Sequence, residues 1–203
     1  DIAVMTGELA QLRIEPTGRV VAVMSVHSQG HGTQTTMAQC IAEQLGVPIE
    51  DVTIFDGDSS RGGFGPGAGG SRQGVIGGGA AIRAGRLLAD KVKVVAAHLL
   101  NASPEAISLA DGMVHVAGAP EMRRTLREIA EIAYGEPGRL PPGMETGLEA
   151  QYRYDPPHMT FTSAAHACIV EVDADTGFVT IRRWVSSEDC GVMINPAVVE
   201  GQI

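Results

Sequence analysis

The distribution of glycine constrains this chain more than any other feature of its sequence. Of the 26 glycines among 203 residues, 11 lie between positions 57 and 79, whereas glycine makes up about 7% of an ordinary globular protein. Because the excess is confined to one segment, it predicts a single glycine-rich loop and excludes a fibrous or disordered composition. Glycine lets main-chain N–H groups approach a ligand closely, so this loop is a candidate binding element.

The composition outside this segment is that of a globular protein. Apolar residues make up 44% of the chain, and a chain of this length buries roughly 70% of the surface that it exposes when unfolded. The formal charge is −9, and no dense basic stripe offsets it, which argues against binding to nucleic acid or to an anionic membrane surface.

Sequence signals for location favour the cytoplasm. No apolar stretch is long enough for a transmembrane helix, and no secretory signal is visible. The three cysteines at positions 40, 168 and 190 lie far apart, which fits neither a disulfide framework nor a zinc site and predicts a reducing compartment. The chain begins with Asp1 instead of Met, and we interpret it as a piece of a longer protein.

Hydrophobic periodicity predicts an α+β fold with mixed sheets, β-hairpins and packed helices. One hairpin is expected over residues 12–14 and 20–25, and a second over 165–172 and 178–185. A helix is predicted after Thr33, its expected N-cap residue. The remaining predicted elements are a short buried strand at 52–55, a long helix from about 78 to 101, a short strand at 113–116 and a helix at 124–133.

The proline-rich stretch 135–158 predicts an extended connection between two parts of the chain. The expected organisation is a first half over 1–134, this connection, and the start of a second half over 159–203. The two hairpin turns resemble each other in sequence, from Ile14 to Val20 and from Val172 to Val179. Two similar halves produced by an internal duplication are one explanation, and coincidence between common Thr-Gly turns is the other.

The glycine-rich segment does not carry a standard nucleotide-binding motif. Gly65 to Gly70 formally matches G-x-G-x-x-G, but a dinucleotide-binding loop needs its glycines directly between a strand and a helix. Several residues separate this match from the strand at 52–55, and Pro66 occupies the turn. No Gly-Lys-Ser/Thr follows, and Gln73 stands where a nucleophile elbow around Ser71 would need glycine.

The end of this segment offers donors for a polar, phosphate-bearing ligand. The residues are Gly70, Ser71, Arg72 and Gln73. A flexible surface loop is the alternative explanation. His27 and His31 lack a third ligand at suitable spacing, so we predict no metal site formed by protein side chains.

Several short segments together resemble one protein family in order and spacing. They are Ser-Gln-Gly-His-Gly at 28–32, Gly-Ala-Gly-Gly-Ser-Arg at 67–72, Tyr-Asp-Pro-Pro at 154–157, Asp-Cys-Gly at 189–191 with Ile-Asn-Pro at 194–196, and Val-Glu-Gly-Gln at 199–202. The chain resembles the large, molybdenum-binding subunit of xanthine-oxidase-type hydroxylases. Within that family it is most similar to the aerobic carbon-monoxide dehydrogenase large chain.

The resemblance implies that the intact enzyme binds molybdopterin cytosine dinucleotide, and that the isolated portion either binds it or holds no cofactor. The cofactor's own dithiolene would ligate the metal, so the protein needs no Cys/His cluster. The implied partners are the remainder of the large subunit, iron–sulfur and FAD subunits or domains, and a small-molecule substrate. The implied cofactor-binding residues are Gln29, Gly30, His31, Gly32, Thr33, Gly70, Ser71, Arg72, Gln73, Asp189, Cys190, Gly191 and Gln202.

The sequence departs from the family pattern in ways that limit this expectation. The family commonly has Gly-Gln-Gly, whose Gln contacts the metal's oxo group, where this chain has Gly30-His31-Gly32. The family's general base, a Glu in a Gly-x-Gly-Glu segment, is absent from these residues, as is the loop with the copper-ligating Cys. We therefore expect a cofactor-binding portion of an oxidoreductase that contains no catalytic residue and is inactive alone. The alternatives are a catalytically silent stand-alone module and a nucleotide-binding domain.

Overall fold

The computed structural model describes residues 7–203 and divides the chain into two compact units. The first unit ends at Pro157, and the second comprises His158–Ile203. The strands of the first unit are β1 (Glu8–Ile14), β2 (Val20–Met24), β3 (Val52–Phe55), β4 (Ile107–Ala110), β5 (Met113–Val116), β6 (Ala119–Thr125) and β7 (Glu149–Tyr154). Its helices are α1 (Thr33–Leu45), α2 (Gly78–Leu100) and α3 (Leu126–Gly135), with short 3₁₀ turns at Ile49–Asp51, Pro104–Ala106 and Pro137–Arg139.

The main sheet of the first unit has four strands in the order β3-β2-β1-β7. Strands β1 and β2 form the predicted antiparallel hairpin, in which Ile14 pairs with Val20. Strand β3 runs parallel to β2, and β7 runs antiparallel to β1. Alternate residues of β1 face the core, so Leu12 and Ile14 are buried while Arg13 is exposed.

Helices α1 and α2 pack against each other and against this sheet. The apolar face of α1 repeats at four-residue spacing through Met37, Ile41 and Leu45, all buried. The buried face of α2 contains many alanines, which lets the helix approach the sheet closely. Gly79 shows how close this approach is, because a Cβ there would overlap the ring of Tyr154.

A smaller sheet, in the order β4-β5-β6, leads into α3. Thr125 is the N-cap residue of α3 and forms a capping box with Glu128. The Glu128 carboxylate accepts a hydrogen bond of 2.7 Å from the Thr125 main-chain N–H, and the Glu128 N–H donates to the Thr125 hydroxyl at 3.1 Å. The structure begins α3 at Leu126, two residues later than the sequence pattern predicts.

The second unit contains a long antiparallel hairpin and one short helix. Strands β8 (Ser163–Val172) and β9 (Val179–Asp189) confirm the second predicted hairpin. Helix α4 (Pro196–Glu200) begins at an N-cap Asn195, whose side chain accepts a hydrogen bond of 3.2 Å from the Val198 N–H. In the described part of the chain, residues 7–203, no helix has the length and apolar character needed to cross a membrane.

The α+β fold class is confirmed, and three local predictions are corrected. Gly32, with φ of 76°, is the N-cap residue of α1, and Thr33 is its first helical residue. Strand β3 is an edge strand in which only Val52 is buried. The predicted extended connection contains β7, because the polar sequence between its prolines pairs with the open edge of β1. Strands β4 and β6 were not predicted, since they are short or largely polar.

The two hairpins differ in the length of their turns and in the helix that follows each of them. Glu15 N–H donates to Arg19 O at 2.8 Å in the first turn, and Asp173 N–H donates to Phe178 O at 2.9 Å in the second, which is one residue longer. The first hairpin is followed by a 13-residue helix and the second by a five-residue helix. An internal duplication stays a hypothesis.

Candidate functional site

Two loops of the first unit leave the same end of the main sheet. The histidine loop, residues 27–32, connects β2 to α1, and the glycine-rich loop, residues 57–72, connects β3 to a π-helical turn (Gln73–Gly77) that opens α2. Strands β2 and β3 are parallel neighbours, so their carboxyl ends lie side by side. This is the end at which open sheets with helices on their faces commonly bind ligands.

Three side chains join the two loops. Thr33 Oγ1 donates to Gln73 Oε1 at 2.8 Å, and His31 Nε2 lies 2.8 Å from the same oxygen and 2.9 Å from Thr33 Oγ1. Gln73 Nε2 donates to the main-chain oxygen of His27 at 2.7 Å. Thr33 and Gln73 are both buried, so these bonds connect the start of α1 to the start of α2 away from solvent.

The same bonds define the tautomer of His31. A carbonyl oxygen only accepts, so the contact with His27 orients the Gln73 amide with its oxygen towards His31 and Thr33. His31 Nε2 must therefore carry the hydrogen. Its other ring nitrogen, Nδ1, accepts the N–H of Gln29 at 3.3 Å. The Nε2–H of the imidazole thus points to Gln73, which makes His31 a link between the two loops.

Asp56, directly after β3, holds the histidine loop from the other side. Its carboxylate oxygens accept hydrogen bonds of 2.7 Å each from the Ser28 N–H and the Gln34 side chain. Asp56 is not among the residues that the sequence motifs single out. The sequence signal that could have found it is its position immediately after a strand, where polar residues often contribute to binding sites.

The side chains of Arg72 and Gln73 point into the protein. Arg72 is 4% exposed and forms an ion pair with Glu8, which is fully buried on β1. Arg72 NH1 also donates to the main-chain oxygen of Gly67 at 2.8 Å. Glu8 was not predicted as a functional residue, because an acidic residue in a strand gives no sequence signal of burial.

The main chain at the end of the glycine-rich loop faces solvent. Gly69, Gly70 and Ser71 are exposed and have φ values of 153°, 59° and 55°. Within residues 7–203, and apart from the adjacent residues of the chain, no atom lies within 4 Å of a Cβ built at Gly69 or at Gly30 in the histidine loop. Ser71 is one of three described non-glycine residues with positive φ, a conformation that is costly for an L-residue and is often found at binding sites.

The other predicted site residues belong to the second unit. Asp189 accepts the N–H of Gly191 at 2.9 Å, and both residues are exposed. Cys190 is an exposed free thiol, and the Gln202 N–H donates to Val199 O at 2.9 Å.

The chemistry that these residues offer is hydrogen bonding to a polar ligand. Within residues 7–203, no group of three or more His, Cys, Asp or Glu side chains is arranged to hold a metal ion. Main-chain groups at the start of a long helix, in a run of positive φ values, are typical of sites that bind phosphate or other anions.

Comparison with known proteins identifies the family. The sequence profile of the family described as "Molybdopterin cofactor-binding domain" matches residues 2–203. The chain belongs to the molybdopterin cofactor-binding domain family. The family resemblance found in the sequence is confirmed.

Two curated relatives illustrate this membership. The chain is 42% identical over 196 residues to the nicotine 6-hydroxylase large subunit of Paenarthrobacter nicotinovorans. The aligned region covers 97% of this chain and 24% of that protein. It is 41% identical over 194 residues to the carbon monoxide dehydrogenase large chain of Afipia carboxidovorans, and the aligned region covers 96% of this chain and 24% of that protein. The chain thus spans about a quarter of the length of these relatives.

Solved structures agree with the fold. Quinoline 2-oxidoreductase from Pseudomonas putida 86 has a TM-score of 0.91 at 43% identity, over 98% of this chain and 25% of that one. A Cu,Mo-containing CO dehydrogenase has a TM-score of 0.88 at 40% identity, over 97% of this chain and 24% of that one.

Proposed function

We propose that this chain is the part of a larger molybdenum-dependent oxidoreductase that binds its cofactor, molybdopterin cytosine dinucleotide. The observation that carries the proposal is the exposed run Gly69–Ser71, which lies just before the π-helical turn that opens α2 and beside a second loop anchored by His31. Such a run presents main-chain N–H groups to phosphate and other polar oxygens. The family membership makes the molybdenum cofactor the ligand that supplies those groups.

The residues present fit this cofactor. It brings its own sulfur ligands to the metal, so a protein that binds it needs hydrogen-bond donors and close main-chain approach instead of a Cys/His cluster. The two loops offer both, through Ser71 and through the space at Gly30 and Gly69 that residues 7–203 leave open. When bound, the molybdenum centre supplies two-electron redox chemistry.

Each part of the site has a separate role in this proposal. The main chain of Gly69 and Gly70 and the Ser71 hydroxyl contact the cofactor's polar groups. His31, Thr33 and Gln73 hold the two loops together, while Gln29, Gly30 and Gly32 form the surface of the histidine loop. In the second unit, Asp189, Cys190, Gly191 and Gln202 are candidates through the family resemblance.

The intact enzyme is proposed to work with other components. Two similar relatives are a large chain and a large subunit by name, so we infer that electrons pass to iron–sulfur and FAD partners and that a small molecule is oxidised. These 203 residues are proposed to be inactive alone, and the cytoplasm is the proposed location.

The proposal is tested by replacing Ser71 with glycine in the complete large subunit. Ser71 has φ of 55°, and Asp111 in the turn between β4 and β5 has φ of 52°. Both Ser71→Gly and Asp111→Gly remove left-handed strain, so neither variant should lower the melting temperature of the cofactor-free subunit. Only Ser71→Gly removes a hydroxyl from the proposed site, and we expect it to reduce molybdenum content severalfold.

The assay measures molybdenum per polypeptide and the nucleotide released by acid hydrolysis. We expect about one molybdenum and one cytidine monophosphate per wild-type subunit. Equal molybdenum in the two variants would contradict the role of Ser71. Release of another nucleotide would contradict the cytosine form, and wild-type protein without molybdenum would contradict the proposed function as a whole.

A further inference from the structure

We propose that Glu8 and Arg72 are positioning residues that clamp the glycine-rich loop onto β1, so that Gly69–Ser71 is presented to the ligand. This inference rests on the proposed function for the identity of the ligand. It gives Arg72 a role through the loop, without direct contact with the cofactor, and adds Glu8 to the residues on which binding depends.

The clamp is a buried network at the start of the first strand. Glu8 is 0% exposed and Arg72 is 4% exposed. One carboxylate oxygen of Glu8 accepts from Arg72 NH1, and the other accepts from the Ser25 hydroxyl. Ser25 Oγ also accepts the Leu9 N–H at 2.7 Å. The carboxylate is thus held by two neighbouring strand regions, which makes it a rigid anchor.

The network grips the glycine-rich loop at two points. Arg72 NH1 donates to Gly67 O at 2.8 Å. This hydrogen bond joins two positions of the loop that are five residues apart in the sequence. Gly65 lies directly on the anchor, since a Cβ there would overlap Glu8 Oε2 and lie 2.6 Å from Ser25 Cβ. The exposed run Gly69–Ser71 lies between Gly67 and Arg72, so the clamp fixes both of its ends.

The chemistry of a buried ion pair supports a geometric role over a stabilising one. Removing two charges from water is costly, and apolar side chains of similar volume often give equal or greater stability. A directional pair is useful where a loop must be held in one conformation. The exposed pair Arg13–Glu15, at the other end of β1, has no such burial and is expected to contribute little.

The burial of Arg72 also argues against direct ligand contact. Its side chain is 2% exposed, and that of Glu8 is 0% exposed. The adjacent Ser71 is exposed. A ligand above the loop therefore meets Ser71 and the main chain, while the guanidinium lies on the protein side.

The test uses the double variant Glu8→Leu/Arg72→Met in the complete large subunit. It replaces the buried pair by apolar groups, so we expect the melting temperature of the cofactor-free subunit to stay near that of wild type. Because the Gly67 contact is lost, we expect main-chain hydrogen exchange over residues 65–71 to become at least tenfold faster, with exchange in α1 unchanged. Molybdenum content should fall at least threefold. The matched control, Arg13→Met/Glu15→Leu, should change neither hydrogen exchange over residues 65–71 nor molybdenum content.

Two further variants keep the test decisive if the double variant does not fold. Arg72→Lys retains the charge beside Glu8, but its side chain ends one bond short of NH1, the nitrogen that contacts both Glu8 and Gly67. Gly65→Ala pushes the loop off an intact pair. Both should speed exchange over 65–71 and lower molybdenum content. Unchanged loop exchange in folded variants would overturn the clamp whether or not the wild-type protein holds molybdenum. Fast loop exchange with wild-type molybdenum content would overturn its role in binding.

Discussion

The hydroxyl of Thr33 is predicted to couple the two helix starts of the site. Thr33 is 3% exposed, and its hydroxyl donates to Gln73 Oε1 at 2.8 Å. The variant Thr33→Val keeps the shape of the side chain and removes this bond. Gln73 Oε1 keeps its bond from His31 Nε2, so no buried acceptor is left without a donor.

The expected cost follows from that geometry. Loss of one buried hydrogen bond whose acceptor keeps another partner costs about 1 kcal/mol. For a folded chain of this size, that corresponds to a fall in melting temperature of roughly 2–4 °C.

A matched control separates this coupling from a general effect on α1. Thr36 lies one turn further, and its hydroxyl donates to carbonyls of the same turn, Gly32 O at 3.1 Å and Thr33 O at 3.0 Å. Thr36→Val is therefore expected to change the free energy of unfolding by less than about 0.5 kcal/mol.

The assay is thermal unfolding followed by circular dichroism, combined with a double-mutant cycle. Thr33→Val is combined with Gln73→Met, and the interaction energy between the two positions should be about 1 kcal/mol. A Thr33→Val variant as stable as Thr36→Val, or an interaction energy near zero, would refute the coupling.

The remaining predictions concern the cysteines and the start of α3. Cys40 is buried, and burial raises its pKa to about 11. A thiol reagent at pH 8 should therefore modify the exposed Cys168 and Cys190 rapidly and Cys40 only after unfolding. Equal rates of modification at all three thiols would contradict the burial of Cys40. Hydrogen bonds from the Thr125 N–H and hydroxyl lower the pKa of Glu128. The capping box therefore stabilises α3 fully at pH values above the usual glutamate pKa of about 4.3. The destabilisation by Thr125→Ala should be about 1 kcal/mol at pH 7 and should shrink as the pH falls through the lowered pKa of Glu128; a pH-independent difference in urea unfolding would show that the carboxylate contributes nothing.

The sequence by itself determined the elements whose signals are local. The hairpins β1-β2 and β8-β9 follow from alternating residues on either side of Thr-Gly turns. Helices α1 and α2 follow from apolar residues at helical spacing and from glycine at the end of α1. The family also follows from the sequence, because several short segments match it in order and spacing.

Only the tertiary structure decided which side chains meet. Glu8 and Arg72 are 64 positions apart, and His31 and Gln73 are 42 apart, so no local pattern connects either pair. Thr33 is a reasonable N-cap residue by type, yet its hydroxyl bonds to Gln73 and the cap position falls to Gly32. Strand β7 has a polar sequence and becomes a strand because the edge of β1 offers unpaired main-chain groups. Local sequence sets the backbone preference of each segment, whereas burial and pairing depend on residues that folding brings together from distant positions. The contacts between Glu8, Arg72 and Gly67 are of this second kind, so they could be found only in the folded structure.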